Sequence, residues 1–399
     1  MPHLRKRHLE KILKRLMGLS PLVGVIGHRQ VGKTTLLELL CQEYHTLDSS
    51  KALLEAQQNP DHFIAQCAGT HVAIDECQLA PDLFPALKDW VRKHKKPGQF
   101  ILSGSVRFTS RKAIQESLTG RIITLELLPL LLSELEPTEI PQFWTKALTT
   151  DSFTESFLRL FPKNRKRSSI TKYFEQGGLP GICFIRDPSF RERKLDTQIE
   201  TILDRDLRKI VSTHAAYPQI RRLLQALADQ QGELFSWSHL KKLTEISIPT
   251  LKKLVYGMEG AFLIRTVLVE GDYSGPLHYF EDMSECAFVR STPLSVTEQI
   301  AQFLMIHIRG ELSYSSAAPF RFFQYRTRGG VVVPLALQMK EFFLGVIPIE
   351  NELPSRVEIS AADSFLKRYA RSKVVFAHLG SAAEVINDRK LLVPIGKTV

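Results

Sequence analysis

The sequence predicts an α/β fold whose first third is a parallel β-sheet with α-helices on both faces. Residues 22–26 form a short apolar run, and the sequence Gly-x-x-x-x-Gly-Lys-Thr follows it directly at residues 27–34. A second apolar run ends in Asp75 and Glu76, and a third, residues 100–102, ends in Ser-Gly-Ser. A stretch with helical periodicity separates these two runs, and such alternation of strands and helices is typical of a parallel sheet.

Residues 27–34 form a complete phosphate-binding loop between a strand and a helix. Its glycines let the backbone curl so that successive N–H groups point at phosphate oxygens, and the following helix adds the positive end of its dipole. We expect Lys33 to reach the β- and γ-phosphates and Thr34 to hold Mg²⁺. The loop therefore predicts binding of a nucleoside triphosphate. Its expected nucleotide-binding residues are Gly27, His28, Arg29, Gln30, Val31, Gly32, Lys33, Thr34 and Thr35.

The acidic pair after the second apolar run predicts hydrolysis as well as binding. We expect Asp75 to bind Mg²⁺ beside Thr34, directly or through water, and Glu76 to polarise the attacking water. In ATPases with an extra strand between these two elements, a polar residue at that strand's end senses the γ-phosphate. Ser103 and Ser105 are the candidates, and Ser103 is favoured slightly because it directly follows the apolar run. A Ser-Gly turn that caps the next helix explains the same residues nearly as well.

Length and composition set the limits for the rest of the chain. A chain of 399 residues exceeds one ordinary domain. With 44% hydrophobic and 24% charged residues and no long apolar run, the sequence predicts a soluble protein without a membrane span. The five cysteines show no metal-binding spacing, which predicts a reduced, cytoplasmic location and no zinc site. The net charge of +11 permits a nucleic-acid partner without establishing one.

These motifs resemble those of a widespread prokaryotic family of AAA-type ATPases, which is similar to the archaeal-type and STAND-like ATPases. The stretches at residues 118–121, 127–130 and 173–180 continue the resemblance, which covers nearly the whole chain and is looser in its second half. It implies ATP and Mg²⁺ as ligands. It also implies a P-loop ATPase core over residues 1–130 and a helical lid over residues 131–210.

The resemblance suggests further site residues. Arg121 matches a Gly-Arg element and is a candidate arginine finger or sensor for γ-phosphate charge, although such an arginine is more often a surface ion-pair partner. Acting in trans it implies a homo-oligomer, and acting in cis it does not. Gly178 and Pro180 lie in a Gly-Gly-Leu-Pro stretch that resembles a lid motif beside the nucleotide base. Arg29 matches the arginine usual in the family's loop, and its role there, phosphate contact or loop brace, stays open.

The family's C-terminal region combines a winged helix, here residues 211–275, with a restriction-endonuclease-like fold, here residues 276–399. Turn and cap signals support the winged helix, with Ser236 or Ser238 as one helix cap. Lys252 and Lys253 on the following helix suit contact with DNA, although winged helices also bind proteins.

The nuclease-like region departs from the pattern of its relatives, which often carry an acidic residue in one strand and Glu-x-Lys in the next. Residues 331–334 read Val-Val-Val-Pro where acids are expected, and residues 349–352 read Ile-Glu-Asn-Glu without the lysine. We expect a degenerate nuclease-like domain that has lost cleavage. The leading hypothesis is an ATPase whose nucleotide state switches the lid and C-terminal domains. The alternatives are an ATP-regulated DNA-binding protein and a scaffold that scarcely hydrolyses ATP.

Overall fold

A computed structural model describes residues 4–69, 71–107, 122–273, 275–315 and 318–399. The first third contains a five-stranded sheet in which all neighbouring strands are parallel, in the order β2-β3-β4-β1-β5. Strand β4 lies between the strand that precedes the phosphate loop and the strand that ends in Asp75. The strands are β1 (Leu22–Gly27), β2 (Glu43–Thr46), β3 (Val72–Asp75), β4 (Phe100–Gly104) and β5 (Ile123–Leu127).

Helices cover both faces of this sheet, which confirms the predicted α/β class for the first third. Alternate strand residues point into different cores: Val23 and Ala73 pack with α1 and α2, whereas Leu22 and Ile74 pack with α3, α4 and α5. Parallel strands buried on both faces have continuous apolar sequences, which explains why they stand out in the sequence. The helices are α1 (Leu9–Met17), α2 (Lys33–Leu40), α3 (Ser50–Gln58), α4 (Pro60–Gln66) and α5 (Leu83–Lys93).

The residues predicted to form a lid, 131–210, are largely helical. Six of them, Thr201–Asp206, form a π-helical segment that joins two α-helices. The α-helices of this region are α6 (Leu132–Leu135), α7 (Phe143–Thr149), α8 (Glu155–Arg159), α9 (Arg167–Gln176), α10 (Pro180–Cys183), α11 (Pro188–Glu200) and α12 (Leu207–Ile210).

Three further helices, α13 (Tyr217–Asp229), α14 (Trp237–Thr244) and α15 (Ile248–Gly260), pack around one apolar core. The Ser236 hydroxyl accepts a hydrogen bond from the backbone N–H of His239, so Ser236 rather than Ser238 caps α14. These helices occupy the region for which we predict a winged helix, and that assignment stays a prediction.

The last strands form an eight-stranded mixed sheet in the order β12-β13-β11-β10-β9-β8-β6-β7. The hairpin β6–β7 belongs to this sheet because β6 pairs in parallel with β8. The predicted boundary at residue 275 therefore divides one hairpin, which the structure joins to the C-terminal sheet. The strands are β6 (Ile264–Gly271), β7 (Pro276–Phe280), β8 (Phe320–Arg326), β9 (Val332–Met339), β10 (Phe342–Pro348), β11 (Ser372–His378), β12 (Glu384–Asn387) and β13 (Lys390–Pro394).

Helices α16 (Met283–Val289), α17 (Val296–Tyr314) and α18 (Arg356–Arg368) accompany this sheet. Helix α17 is almost wholly buried, and its core residues share one cluster with β1 of the first sheet and β11 of the second. None of the helices in the described residues has both the length and the apolar character needed to cross a membrane.

An ionic cluster joins the two sheets. Glu126 on β5 lies 2.6 Å from the guanidinium of Arg265 on β6 and 3.3 Å from that of Arg309 on α17, and Arg265 also pairs with Glu281 at 2.9 Å. Burial raises the pKa of Glu126, but the positive charges of Arg265, Arg309 and Arg107 outweigh burial and lower it to about 2. The edge of the first sheet is therefore held by charges from the C-terminal half of the chain.

Candidate functional site

The phosphate loop connects β1 to α2, and two of its positions require glycine. A Cβ atom on Gly27 would lie 2.4 Å from the carbonyl oxygen of Leu127 on the neighbouring strand. Gly32, the residue before α2, has φ +98°. Since other residues fit neither constraint without strain, the loop keeps the curled backbone that its sequence predicts.

Lys33 lies inside this curl. Its ammonium group donates hydrogen bonds to the carbonyl oxygens of Gly27 and His28, both at 3.0 Å. Burial lowers the pKa of Lys33, and the nearby carboxylates of Glu76 and Asp75 oppose that effect. The loop and the two acidic residues predicted from the sequence therefore surround one buried amine.

The residues predicted to hold Mg²⁺ are in direct contact. The Thr34 hydroxyl donates to Asp75 Oδ2 at 2.8 Å, and the Tyr44 hydroxyl donates to the same oxygen at 2.6 Å. Burial opposes ionisation of Asp75, but the hydroxyls of Tyr44, Ser103 and Thr34 outweigh it and hold its pKa below the usual value. An ionised carboxylate beside a hydroxyl oxygen is a donor pair that fits Mg²⁺, which takes few protein ligands and shares the rest with phosphate. Tyr44 was missed from the sequence, because no local signal links it to Asp75.

Glu76 follows β3 in a left-handed conformation with φ +53°. Its Oε2 accepts hydrogen bonds from the Ser105 hydroxyl at 3.0 Å and from the Gln78 side-chain amide. Ser103, which the sequence favours slightly as the sensor, lies buried at the end of β4 beside Asp75. The structure thus brings Ser105 to Glu76 and Ser103 to Asp75.

Arg7 braces the loop from the amino-terminal side. Its buried guanidinium donates to the carbonyl oxygens of Val31 at 2.7 Å and Leu128 at 2.5 Å, and it pairs with Glu134 at 3.2 Å. In the sequence this arginine is one of many basic residues near the amino terminus, so no signal distinguished it.

The Gly-Gly-Leu-Pro stretch lies against the phosphate loop. A Cβ atom on Gly32 would lie 3.8 Å from Pro180 Cγ, and one on Gly181 would lie 2.7 Å from Gln30 Oε1. The Gly178 N–H donates to Asp282 Oδ2 at 2.7 Å, so this amide is engaged by the C-terminal half of the chain.

Two further loop residues pair with distant carboxylates. His28 Nε2 lies 3.0 Å from Glu285 Oε2, and Arg29 Nη1 lies 3.2 Å from Asp206 Oδ2. Burial lowers the pKa of His28, but the charge of Glu285 outweighs it and the pKa is raised. No spacing or composition in the sequence places Asp206 or Glu285 at the loop.

Two predicted site residues have different outcomes. Thr35 is exposed on the first turn of α2, and Arg121 lies outside the described residues. In the stretch that lacks the lysine of Glu-x-Lys, Glu352 accepts a hydrogen bond from the Ser381 N–H at 2.7 Å. Within the part of the chain that the structure describes, no group of three or more His, Cys, Asp or Glu residues is placed to hold a metal.

Comparison with known proteins finds family models that match two parts of this chain. Residues 19–136 match the family model of an AAA domain, and residues 167–269 match a domain of unknown function, DUF8612. The first match contains the phosphate loop, Asp75, Glu76 and all five strands of the first sheet.

Two curated relatives are the uncharacterized proteins Mb2031c of Mycobacterium bovis and Rv2008c of Mycobacterium tuberculosis. Each is 26% identical over 266 residues, which are 66% of this chain and 53% of the relative. The chain thus spans about half the length of the curated relatives it matches.

Two solved structures are similar at 14% identity. The alignment with the Walker-type ATPase PABY2304 of Pyrococcus abyssi has a TM-score of 0.38 and covers 70% of this chain and 94% of that structure's chain. The alignment with the STAND protein with a tetratricopeptide repeat sensor, PH0952 of Pyrococcus horikoshii, has a TM-score of 0.25 and covers 77% of this chain and 47% of that structure's chain. The family-model match shows that residues 19–136, which contain the phosphate loop, are similar to an AAA domain.

Proposed function

We propose that this protein binds ATP with Mg²⁺ at the phosphate loop and hydrolyses it. The 2.8 Å contact between Thr34 and Asp75 carries the proposal, because it joins two segments separated by 41 residues into one oxygen-donor pair beside Lys33. Bound there with the triphosphate, Mg²⁺ neutralises charge on the phosphate oxygens. Lys33, held by two carbonyl oxygens of its own loop, supplies the protein's positive charge.

Glu76 is the proposed base for the attacking water. Its carboxylate oxygen is oriented by the hydrogen bonds from Ser105 and Gln78, so it presents a fixed acceptor beside Asp75. A carboxylate in this position accepts a proton from water as the water attacks the γ-phosphate. Because Ser105 contacts Glu76, we propose Ser105 as the residue that orients this group and Ser103 as a support for Asp75.

We further propose that the nucleotide state rearranges the lid and C-terminal regions. Three groups outside residues 1–130 lie at the loop or at the stretch beside it: Asp206, Asp282 and Glu285. Phosphate-dependent contacts that hold one arrangement and are released on hydrolysis are the usual basis of such switches.

Replacing Lys33 tests nucleotide binding. Lys33→Ala removes the cation inside the loop, and we expect loss of detectable ATP binding in isothermal titration calorimetry with Mg²⁺. Lys93→Ala, at the exposed carboxyl end of α5, is the matched control and should keep wild-type affinity. Unchanged ATP affinity in Lys33→Ala would remove the proposal.

Replacing Glu76 tests hydrolysis. Glu76→Gln keeps the shape of the side chain but accepts no proton, so turnover should fall on the order of 100-fold while ATP still binds. Phosphate release is measured at saturating ATP. Turnover at the wild-type rate would eliminate Glu76 as the base, and absence of turnover in the wild type would favour the scaffold alternative.

A second candidate function is ATP-regulated DNA binding through the predicted winged helix, without nuclease activity. The observation that favours it is that Lys241 and Lys242 on α14 and Lys252 and Lys253 on α15 are all exposed. Lysines that neutralise phosphates produce salt-dependent affinity. Stimulation of ATP hydrolysis by duplex DNA, weakened by Lys252→Ala, would support this function, and metal-dependent DNA cleavage lost in Glu350→Gln would contradict it.

A further inference from the structure

Arg29 lies in the middle of the phosphate loop, yet its guanidinium is paired with a carboxylate 177 residues further along the chain. Arg29 Nη1 lies 3.2 Å from Asp206 Oδ2, and Arg205 Nε lies 3.0 Å from Asp206 Oδ1. Asp206 therefore presents one oxygen to each of two guanidinium groups. A phosphate edge offers guanidinium groups the same negative charge and the same pair of acceptors.

The surroundings of this pair allow the partner of Arg29 to change. The side chains of Arg29 and Arg205 are 27% and 49% exposed, whereas that of Asp206 is 7% exposed. A guanidinium that keeps contact with water loses little when it leaves one acceptor for another. The arginines can thus turn towards a new anion without opening the core.

The backbone that carries Asp206 is a π-helical segment, Thr201–Asp206, between α11 and α12. Hydrogen bonds in a π-helix are shifted by one residue relative to an α-helix, and such segments occur frequently at functional sites. Asp206 therefore lies in an element whose hydrogen-bond pattern differs from that of the α-helices on either side.

Electrostatics opposes keeping Asp206 in place beside a triphosphate. The carboxylate of Asp206 lies against the phosphate loop, because it pairs with Arg29 at 3.2 Å, and Arg29 is four residues before Lys33. Phosphate groups bound by Lys33 would meet the same carboxylate as a like charge. Asp206 and a bound phosphate thus compete for one group of cations.

We propose that Asp206 and the phosphate groups of a bound triphosphate exchange on Arg29, so that Arg29 is a phosphate-binding residue and Asp206 its internal competitor. The inference rests on the proposed function of the loop. It assigns the switch to residues 201–206, because release of Asp206 frees the segment between α11 and α12.

The test measures ATP affinity in a Glu76→Gln background, where turnover is slow. Asp206→Asn removes the competing charge and should tighten ATP binding about fivefold to tenfold, whereas Arg29→Ala should weaken it. In Arg29→Ala, adding Asp206→Asn should bring no gain. Asp204→Asn is the matched control, because Asp204 lies on the same segment but pairs with Arg208 at 3.0 Å, and it should leave ATP affinity unchanged.

Hydrogen–deuterium exchange provides a second measurement, whose main comparison, with and without ATP, uses only the wild-type protein. ATP should increase amide exchange in residues 201–206 of the wild type and change nothing in Lys33→Ala. Weaker or unchanged ATP binding by Asp206→Asn, a gain that persists without Arg29, or unaltered exchange overturns the inference while the proposed function stands. Absence of ATP binding by the wild type overturns both.

Discussion

Two neighbouring residues of the phosphate loop, His28 and Arg29, are each paired with a distant carboxylate, but the two pairs lie in different surroundings. The side chains of His28 and Glu285 are only 1% and 0% exposed, and Glu285 also accepts a hydrogen bond from Gln198 at 2.6 Å. Asp206 is buried too, but both of its arginine partners reach solvent. One pair is sealed in the protein and the other is open at one side.

The difference in solvent exposure predicts that the two pairs differ in how readily they separate. A buried charge that loses its partner stays unpaired in a medium of low dielectric, so the His28–Glu285 pair resists separation. An ion pair near solvent contributes little and exchanges partners readily. We therefore interpret the His28–Glu285 pair as a contact that always holds the loop to α16. We interpret the Arg29–Asp206 pair as the contact that breaks when a triphosphate binds.

The largest expected effect comes from breaking the sealed pair. Glu285→Ala leaves His28 without its carboxylate partner in the core, and we expect the free energy of unfolding to fall by about 3–5 kcal/mol. Asp206→Ala, which breaks the open pair, should cost only about 1 kcal/mol. Urea unfolding of both variants at one pH measures the difference. Equal losses would show that the two pairs do not differ as their burial indicates.

A second experiment tests what the cation contributes to the buried His28–Glu285 pair. It uses Glu311, a buried carboxylate without a cationic partner in the described residues. Glu311 on α17 accepts hydrogen bonds from the backbone N–H and the hydroxyl of Thr145, but within the described residues it forms no ion pair. Burial raises the pKa of Glu311 to about 7, against a reference value of 4.5. The folded protein therefore binds this proton more tightly than the unfolded chain does.

The sign of the pH dependence follows from that difference. The stabilisation is fully present below pH 4.5 and is lost as pH rises through about 7. Its full size is about 3 kcal/mol, from 1.36 kcal/mol for each pH unit. Glu311→Gln should reduce the fall in unfolding free energy between pH 5 and pH 8 by roughly this amount. Identical pH profiles for wild type and variant would mean that Glu311 stays ionised in the fold.

The contrast also shows which parts of the site the sequence predicts. The phosphate loop, Asp75 and Glu76 are recognisable because each lies at the end of a short apolar strand. Their neighbours in the sequence are therefore sufficient to predict their roles. Asp206 and Glu285 reach the loop only through packing of the second half on the first. No spacing or composition encodes that contact in a single sequence.

The same distinction holds for the fold. The three central strands of the first sheet, β1, β3 and β4, are buried and largely apolar because helices cover both faces, and the sequence reveals them for that reason. The boundary predicted at residue 275 falls inside the hairpin β6–β7, because local sequence patterns do not show which strands pair. The parallel pairing of β6 with β8, about 50 residues further on, is a tertiary contact that local patterns do not predict.

The smallest expected effect is the response of the two pairs to salt. It tests whether the coupling energy of each pair depends on contact with solvent. Double-mutant cycles, Arg29→Ala with Asp206→Ala and His28→Ala with Glu285→Ala, isolate the coupling energy of each pair. The Debye length falls from about 10 Å at 0.1 M to about 3 Å at 1 M salt, but ions screen only charges that water reaches. The coupling of Arg29 to Asp206 should therefore drop by a few tenths of a kcal/mol, starting from below about 1 kcal/mol. The coupling of His28 to Glu285 should not change, because no ion enters the sealed contact. A salt-sensitive His28–Glu285 coupling would mean that this contact opens in solution, and then His28, not only Arg29, would be free to meet a phosphate.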